Sequence, residues 1–104
     1  MSTPVIGEPA PDFTLPASTG KSVSLGQFAG KKVVLFFYPQ DNTPTCTTEA
    51  CAFRDGIGRF RRHGAVVLGI SPDPFKRHHQ FAEKYGLPYP LLSDEDLTVC
   101  RLYD

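Results

Sequence analysis

The sequence predicts an α/β fold built around a central, mostly parallel sheet, and three observations carry that reading. Two short runs, Val33-Val34-Leu35-Phe36-Phe37-Tyr38 and Ala65-Val66-Val67-Leu68-Gly69-Ile70-Ser71, are almost wholly apolar, as strands buried on both faces must be. Between them Ala50, Phe53, Ile57 and Phe60 recur at helical spacing. Strand, helix and strand in that order form a crossover unit, which joins parallel strands.

The remaining elements follow in chain order. A lead-in with Pro4, Gly7, Pro9 and Pro11 is extended. Phe13-Thr14-Leu15 and Val23-Ser24-Leu25 flank a Ser18-Thr19-Gly20 turn and read as a β-hairpin. A brief helical turn covers Gly26 to Ala29, with Gly30 as its stop. After the first buried strand Pro39 ends the run, and Gln40-Asp41-Asn42 is loop. Thr43 is a good helix N-cap, and Pro44 suits the first helical position, where its missing N–H costs nothing. The helix runs to about Arg62 and stops at Gly64. Gly56 and Gly58 each weaken its interior by about 1 kcal/mol, so some irregularity is expected there. Past the second buried strand, Pro72-Asp73-Pro74 turns into a helix from about Phe75 to Tyr85 that closes at Gly86. Leu91-Leu92 is a short strand, and Ser93 caps a last helix from Asp94 to about Tyr103.

The 104 residues suffice for one domain with one modest core, and no repeat or linker divides residues 1–104. Eleven Lys and Arg balance eleven Asp and Glu, so nothing electrostatic draws the chain to nucleic acid or an acidic membrane. No apolar run approaches the roughly 20 residues of a membrane helix, and the N-terminus lacks the basic flank and apolar stretch of a secretory signal. A cytoplasmic protein is the default expectation. Three cysteines make a poor structural disulfide framework, but Cys46 and Cys51, five apart, suit a redox pair.

The chemistry-bearing stretch is Tyr38-Pro39-Gln40-Asp41-Asn42-Thr43-Pro44-Thr45-Cys46-Thr47-Thr48-Glu49-Ala50-Cys51. With Thr43 as N-cap, Cys46 falls in the first turn of the helix, where amides lack intrahelical partners and the dipole is positive. Both effects favour thiolate and therefore nucleophilicity. Thr43 lies one turn earlier, so its hydroxyl can point at the same small volume. On an intact helix, residues five apart point about 140° apart with Cα atoms roughly 8.5 Å distant, beyond the about 7 Å a disulfide tolerates. Bonding between Cys46 and Cys51 therefore requires the first turn to unwind.

Here the residues carry a family resemblance. Pro39-x-x-x-Thr43-x-x-Cys46, following a buried aromatic strand and opening a helix, resembles the peroxidatic motif of the peroxiredoxins. Gly7-Glu-Pro-Ala-Pro-Asp-Phe-Thr-Leu-Pro16 and Gly30-Lys-Lys-Val-Val-Leu-Phe-Phe-Tyr-Pro39 are similar to that family too, and Cys-Thr-x-Glu-Ala-Cys resembles its bacterioferritin comigratory protein (peroxiredoxin Q) branch. The resemblance implies a thioredoxin-like fold with an N-terminal hairpin. It implies a peroxidase for hydrogen peroxide and organic hydroperoxides that works without metal, haem or flavin cofactors. Cys46 would attack the peroxide and become a sulfenic acid. Thr43 would hydrogen-bond thiolate and peroxide, and Pro39 would shield the pocket. Backbone amides would stabilise the reacting oxygens. Cys51 would condense with the sulfenic acid, and thioredoxin or a similar dithiol would reduce the disulfide. Glu49 matches a position that helps fix an active-site arginine in the family. That arginine lies on a strand beyond Asp104, as do a further strand and a final helix. The chain thus reads as a C-terminally incomplete form, monomeric or weakly dimeric, with one sheet edge unpaired.

Plainer readings stand beside these. Cys46 as an inert buried thiol is outweighed by Pro39 and Thr43 in register with it, whereas Cys51 as a core cysteine beside Ala50 and Phe53 remains open. Cys100, beside Leu97 and Val99, reads as inert. His78-His79 lacks the i,i+4 spacing of a helical metal pair and reads as a solvated helix surface. Arg59-Phe60-Arg61-Arg62-His63 reads as favourable charge at a helix C-terminus. Asp41 and Glu49 form no convincing carboxylate pair. Two rival functions are a non-catalytic redox sensor switched by Cys46–Cys51 oxidation and a dithiol–disulfide oxidoreductase, the latter weakened by the lack of Cys-x-x-Cys.

Overall fold

The structure, a computed structural model, describes residues 6, 7, 9–41 and 43–103. Pro4 of the lead-in and Asn42 of the loop lie outside the described residues. The elements run β1 (Thr14–Pro16), β2 (Ser22–Ser24), a 3-10 turn (Leu25–Phe28), β3 (Lys32–Phe37), α1 (Pro44–Arg62), β4 (Ala65–Ser71), α2 (Phe75–Tyr85), β5 (Leu91–Ser93) and α3 (Thr98–Leu102). This is the order the sequence predicts. β1 and β2 pair antiparallel, with Leu15 opposite Val23. β3, β4 and β5 form a parallel sheet with β4 in the middle.

Side-chain alternation along β3 and β4 divides the core into two layers. Leu68 and Ile70 point to the face covered by the hairpin and α3, where Phe13, Leu15, Val23 and Val99 pack on them. Val67, with Phe36 and Tyr38 of the neighbouring chain segment, faces α1 and α2. The free side of β5 is covered by the chain leaving β1. Ala17 bridges Leu92, the Ser18 amide donates to the Leu91 carbonyl at 2.8 Å, and the Ser18 hydroxyl accepts from the Leu91 amide at 3.1 Å.

Several expectations are corrected. β3 is not buried on both faces. Phe36 is buried but Phe37 is 38 % exposed, because β3 lies at the sheet edge with β4 its sole strand partner among the described residues. α1 runs unbroken through Gly56 and Gly58, so packing of its apolar face outweighs their propensity cost. The last helix is shorter than the pattern suggests, and Ser93 does not cap it. Leu97 holds the N-cap position, and the Asp94 carboxylate, three residues earlier, accepts from the amides of Val99 at 3.1 Å and Cys100 at 2.8 Å. The stops hold: Gly64 follows α1 with φ +71° and Gly86 ends α2 with φ +60°, conformations that glycine adopts freely.

Gly69 is needed for a different reason. A Cβ there would sit 2.8 Å from Leu91 Cδ2 and 2.9 Å from Phe36 Cζ. These neighbours fill the space over the central strand that positions α1. Gly69→Ala is expected to lower unfolding free energy by about 1–3 kcal/mol through overpacking, read as a shifted midpoint in a denaturant titration.

Candidate active site

α1 opens where the sequence places it, and its front end is built differently in detail. Thr43 occupies the N-cap position with extended backbone (φ −78°, ψ 150°), but its hydroxyl makes no capping bond. It instead donates to the Gln40 carbonyl at 3.2 Å, folding the loop onto itself. The Thr47 amide donates to the Thr43 carbonyl at 2.8 Å, and among the described residues the amides of Thr45 and Cys46, in the first turn, have no backbone acceptor. Cys46 sits on this turn and is buried, packed with Phe36, Tyr38 and Ala50. Pro39 and Glu49 are exposed, and Thr43 is half-buried.

Cys46 and Cys51 are both free thiols on one continuous helix. The helix thereby keeps them too far apart to bond. Cys51 is half-buried. Next to it, Ala50 is 1 % exposed and its carbonyl accepts from the Tyr89 hydroxyl at 2.7 Å. Burial, with Cys51 nearby as the next contribution, raises the Tyr89 phenol well above its usual range, so it stays a donor. Phe36 stacks on Phe53 at 4.6 Å and meets Tyr89 edge-on at 5.8 Å. This part of α1 is thus held from two sides. Among the described residues no arginine forms an ion pair with Glu49.

Behind the loop lies a group that sequence reasoning missed. His78 is completely buried, contrary to its reading as solvated surface; His79 alone is exposed, paired with Glu83 at 3.2 Å. His78 Nδ1 lies 2.7 Å from Asp41 Oδ2, and the Tyr38 hydroxyl donates to Asp41 Oδ1 at 2.6 Å. The Asp41 amide donates to Asp73 Oδ2 at 2.6 Å, and the Ser71 hydroxyl donates to the same oxygen at 3.0 Å. Arg77 Nη2 donates to the Asp41 carbonyl at 3.4 Å, and its Nε lies 3.5 Å from Asp73 Oδ1. Burial and the Asp41 contact push the Tyr38 hydroxyl far up. A signal was available. His78, Phe81, Ala82 and Tyr85 share one helical stripe of α2, so His78 falls on the buried face and His79 beside it does not.

Single atoms of Asp41, Asp73 and His78 converge within 4.8 Å, a metal-like grouping. Their hydrogen bonds to Tyr38, Ser71, Leu92 and the Asp41 amide account for the convergence without an ion.

Comparison with known proteins places this geometry. The AhpC/TSA family model matches residues 6–104. A Coxiella burnetii relative named for peroxiredoxin bcp is 54% identical over 98 residues, covering 94% of this chain and 65% of that protein. A chloroplastic peroxiredoxin Q from Gentiana triflora is 56% identical over 95 residues, covering 91% of this chain and 44% of its own. The crystal structure of peroxidoxin BcpB from Mycobacterium tuberculosis superposes with a TM-score of 0.88 at 44% identity, over 93% of this chain and 64% of that one. The chain spans between 44% and 65% of the length of these relatives, and the fold it shares with them is thioredoxin-like. One relative's name places it in a chloroplast. For this chain, no helix among the described residues is long and apolar enough to cross a membrane.

Cys100 is set apart from the other thiols. Burial, then the neighbouring Asp94 carboxylate, pushes it up to about 11. At pH 8 roughly one Cys100 in a thousand is then thiolate. Mass-spectrometric mapping of brief alkylation at pH 8 is expected to find Cys100 labelled last of the three, and to find it catching up as the pH approaches 11.

Proposed function

The chain belongs to the AhpC/TSA family, and on that premise we propose that it is a thiol-dependent peroxidase whose reacting sulfur is Cys46. The observation that carries this reading is the placement of Cys46 at the front of an intact α1 that also holds Cys51 out of reach.

The steps balance in this way. The Cys46 thiolate attacks the terminal oxygen of a hydroperoxide, and the O–O bond breaks. The departing alkoxide or hydroxide takes a proton, and Cys46 becomes a sulfenic acid. The first-turn amides of Thr45 and Cys46 and the positive helix end favour negative charge at that position. Thr43 would turn its hydroxyl from the Gln40 carbonyl to hydrogen-bond the sulfur and the peroxide, and Pro39 would shield the pocket. Cys51 then attacks the sulfenic sulfur and water leaves. This step needs the front of α1 to open, since the helix holds the two sulfurs apart. An external dithiol, thioredoxin or one like it, reduces the disulfide by exchange and is itself oxidised. Glu49 supports the site from the exposed side of the same turn. The protein works as a monomer or weak dimer, in the cytoplasm.

The non-catalytic sensor uses the same two sulfurs and the same helix opening, but with slow, stoichiometric oxidation. Stopped-flow peroxide consumption by the reduced protein, with and without thioredoxin and its reductase, separates the two. Rapid, recycled consumption supports the peroxidase. One slow equivalent of oxidation supports the sensor, and no oxidation of Cys46 sinks both. Cys46→Ser is expected to lose peroxide consumption by at least about 1000-fold. Cys51→Ser is expected to retain the first oxidation but stop after one equivalent, with a sulfenic acid on Cys46 that a cyclic 1,3-dione reagent captures.

A further inference from the structure

We infer that Asp41 and His78 are positioning residues for the Cys46 loop, a buried carboxylate–imidazole pair that fixes the loop backbone at Asp41. The inference rests on the reading of Cys46 as the reacting thiol and adds to it residues that lie outside the motif.

Both side chains are fully buried, and each faces partners that settle its hydrogen bonding. His78 Nε2 lies 3.0 Å from the Leu92 carbonyl. A carbonyl only accepts, so Nε2 carries a proton. The 2.7 Å contact between Nδ1 and Asp41 Oδ2 then also needs a proton between its atoms. Whichever atom holds it, the pair as a whole is neutral, which is the condition under which burial is tolerable. Asp41 Oδ1 takes the Tyr38 hydroxyl, and the Asp41 main chain is tied through its amide to Asp73 and through its carbonyl to Arg77.

These contacts converge on one residue of the loop. Asp41 lies two residues after Pro39 and two before Thr43, whose hydroxyl is in turn bonded to the Gln40 carbonyl. Its partners come from around the sheet and α2: Tyr38 directly after β3, Asp73 directly after β4 and itself held by Ser71, Arg77 and His78 from α2 and, beyond His78, Leu92 from β5. The pair thereby ties the exposed loop to the rigid centre of the domain. A loop held this way presents Thr43 and the first turn of α1 in a fixed geometry, and small misplacements there are costly to a reaction that depends on orientation.

Two substitutions at one position test this. Asn in place of His78 can put an amide donor where Nδ1 stands and keep the Asp41 contact. Gln can reach the Nε2 position and keep the Leu92 contact instead. Hydrogen exchange is measured on the reduced protein, with resolution over residues 40–47 and 75–93. His78→Gln is expected to speed exchange over 40–47 about tenfold, the equivalent of one lost buried hydrogen bond. His78→Asn should stay within about threefold of the unaltered protein there. Equal effects of the two changes, or acceleration confined to α2 and β5, would overturn the inference. Tyr38→Phe removes only the hydroxyl and should raise exchange over 40–47 as His78→Gln does. If His78→Gln fails to fold, this variant decides the matter by the same readout. Peroxide reaction rates on the same proteins are expected to fall about tenfold in His78→Gln and recover in His78→Asn. If the unaltered protein ignores peroxide, the peroxidase reading fails, while the exchange data still decide whether the pair fixes the loop.

Discussion

The contact between Asp41 and His78 is the interaction on which the arrangement of the active end depends. An ionisable pair with no access to water is expensive unless every hydrogen bond is met, and here the Tyr38 hydroxyl donates to Asp41 while the Leu92 carbonyl accepts from His78. Such a group is a poor source of net stability compared with an apolar pair of equal volume. Its worth lies in direction. Apolar packing would leave the loop free to slide, whereas donors and acceptors at 2.6 to 2.7 Å allow one register.

The sheet supplies the frame for this. β4 is the central strand, with Val67, Leu68 and Ile70 at 1 % exposure or less, and the parallel register brings the C-terminal ends of β3, β4 and β5 together. Tyr38, Ser71 and the Ser93–Asp94 corner all leave the sheet at that end. In open α/β sheets this is where sites form, because the loops there are carried by strands that cannot move. Gly69 shows how little slack remains, since Phe36 and Leu91 close over it.

Much of this was legible in the residues alone. Apolar runs punctuated by Gly and Pro mark β3, β4, α1 and α2 because burial and turn chemistry agree at each boundary. The placement of Cys46 on the first turn follows from Thr43-Pro44 by the same logic. What escaped was set by topology. The composition of β3 is that of an interior strand, yet its place at the edge depends on which strands pair, and that cannot be read from one strand. Thr43 has the chemistry of a cap, but the Gln40 carbonyl competes for its hydroxyl. Asp41 looked like any loop acid because its partners are 32 and 37 residues away. His78 is a simpler case: the stripe it shares with Phe81 and Tyr85 marks it as buried, but its adjacency to the exposed His79 masks that stripe.

The Tyr89 bond to the Ala50 carbonyl bears on how α1 could ever open. It fastens the helix one residue before Cys51, while among the described residues no side chain from outside the helix hydrogen-bonds to Pro44–Glu49, where Cys46 is held by apolar packing. Any fraying that starts at the free end meets a rivet at Ala50. Joining the two sulfurs would then be a swing of a short arm about a fixed pivot, with Cys46 making the journey and Cys51 staying near home. The body of α1, and the aromatic stack beneath it, could remain in place while only its tip is spent.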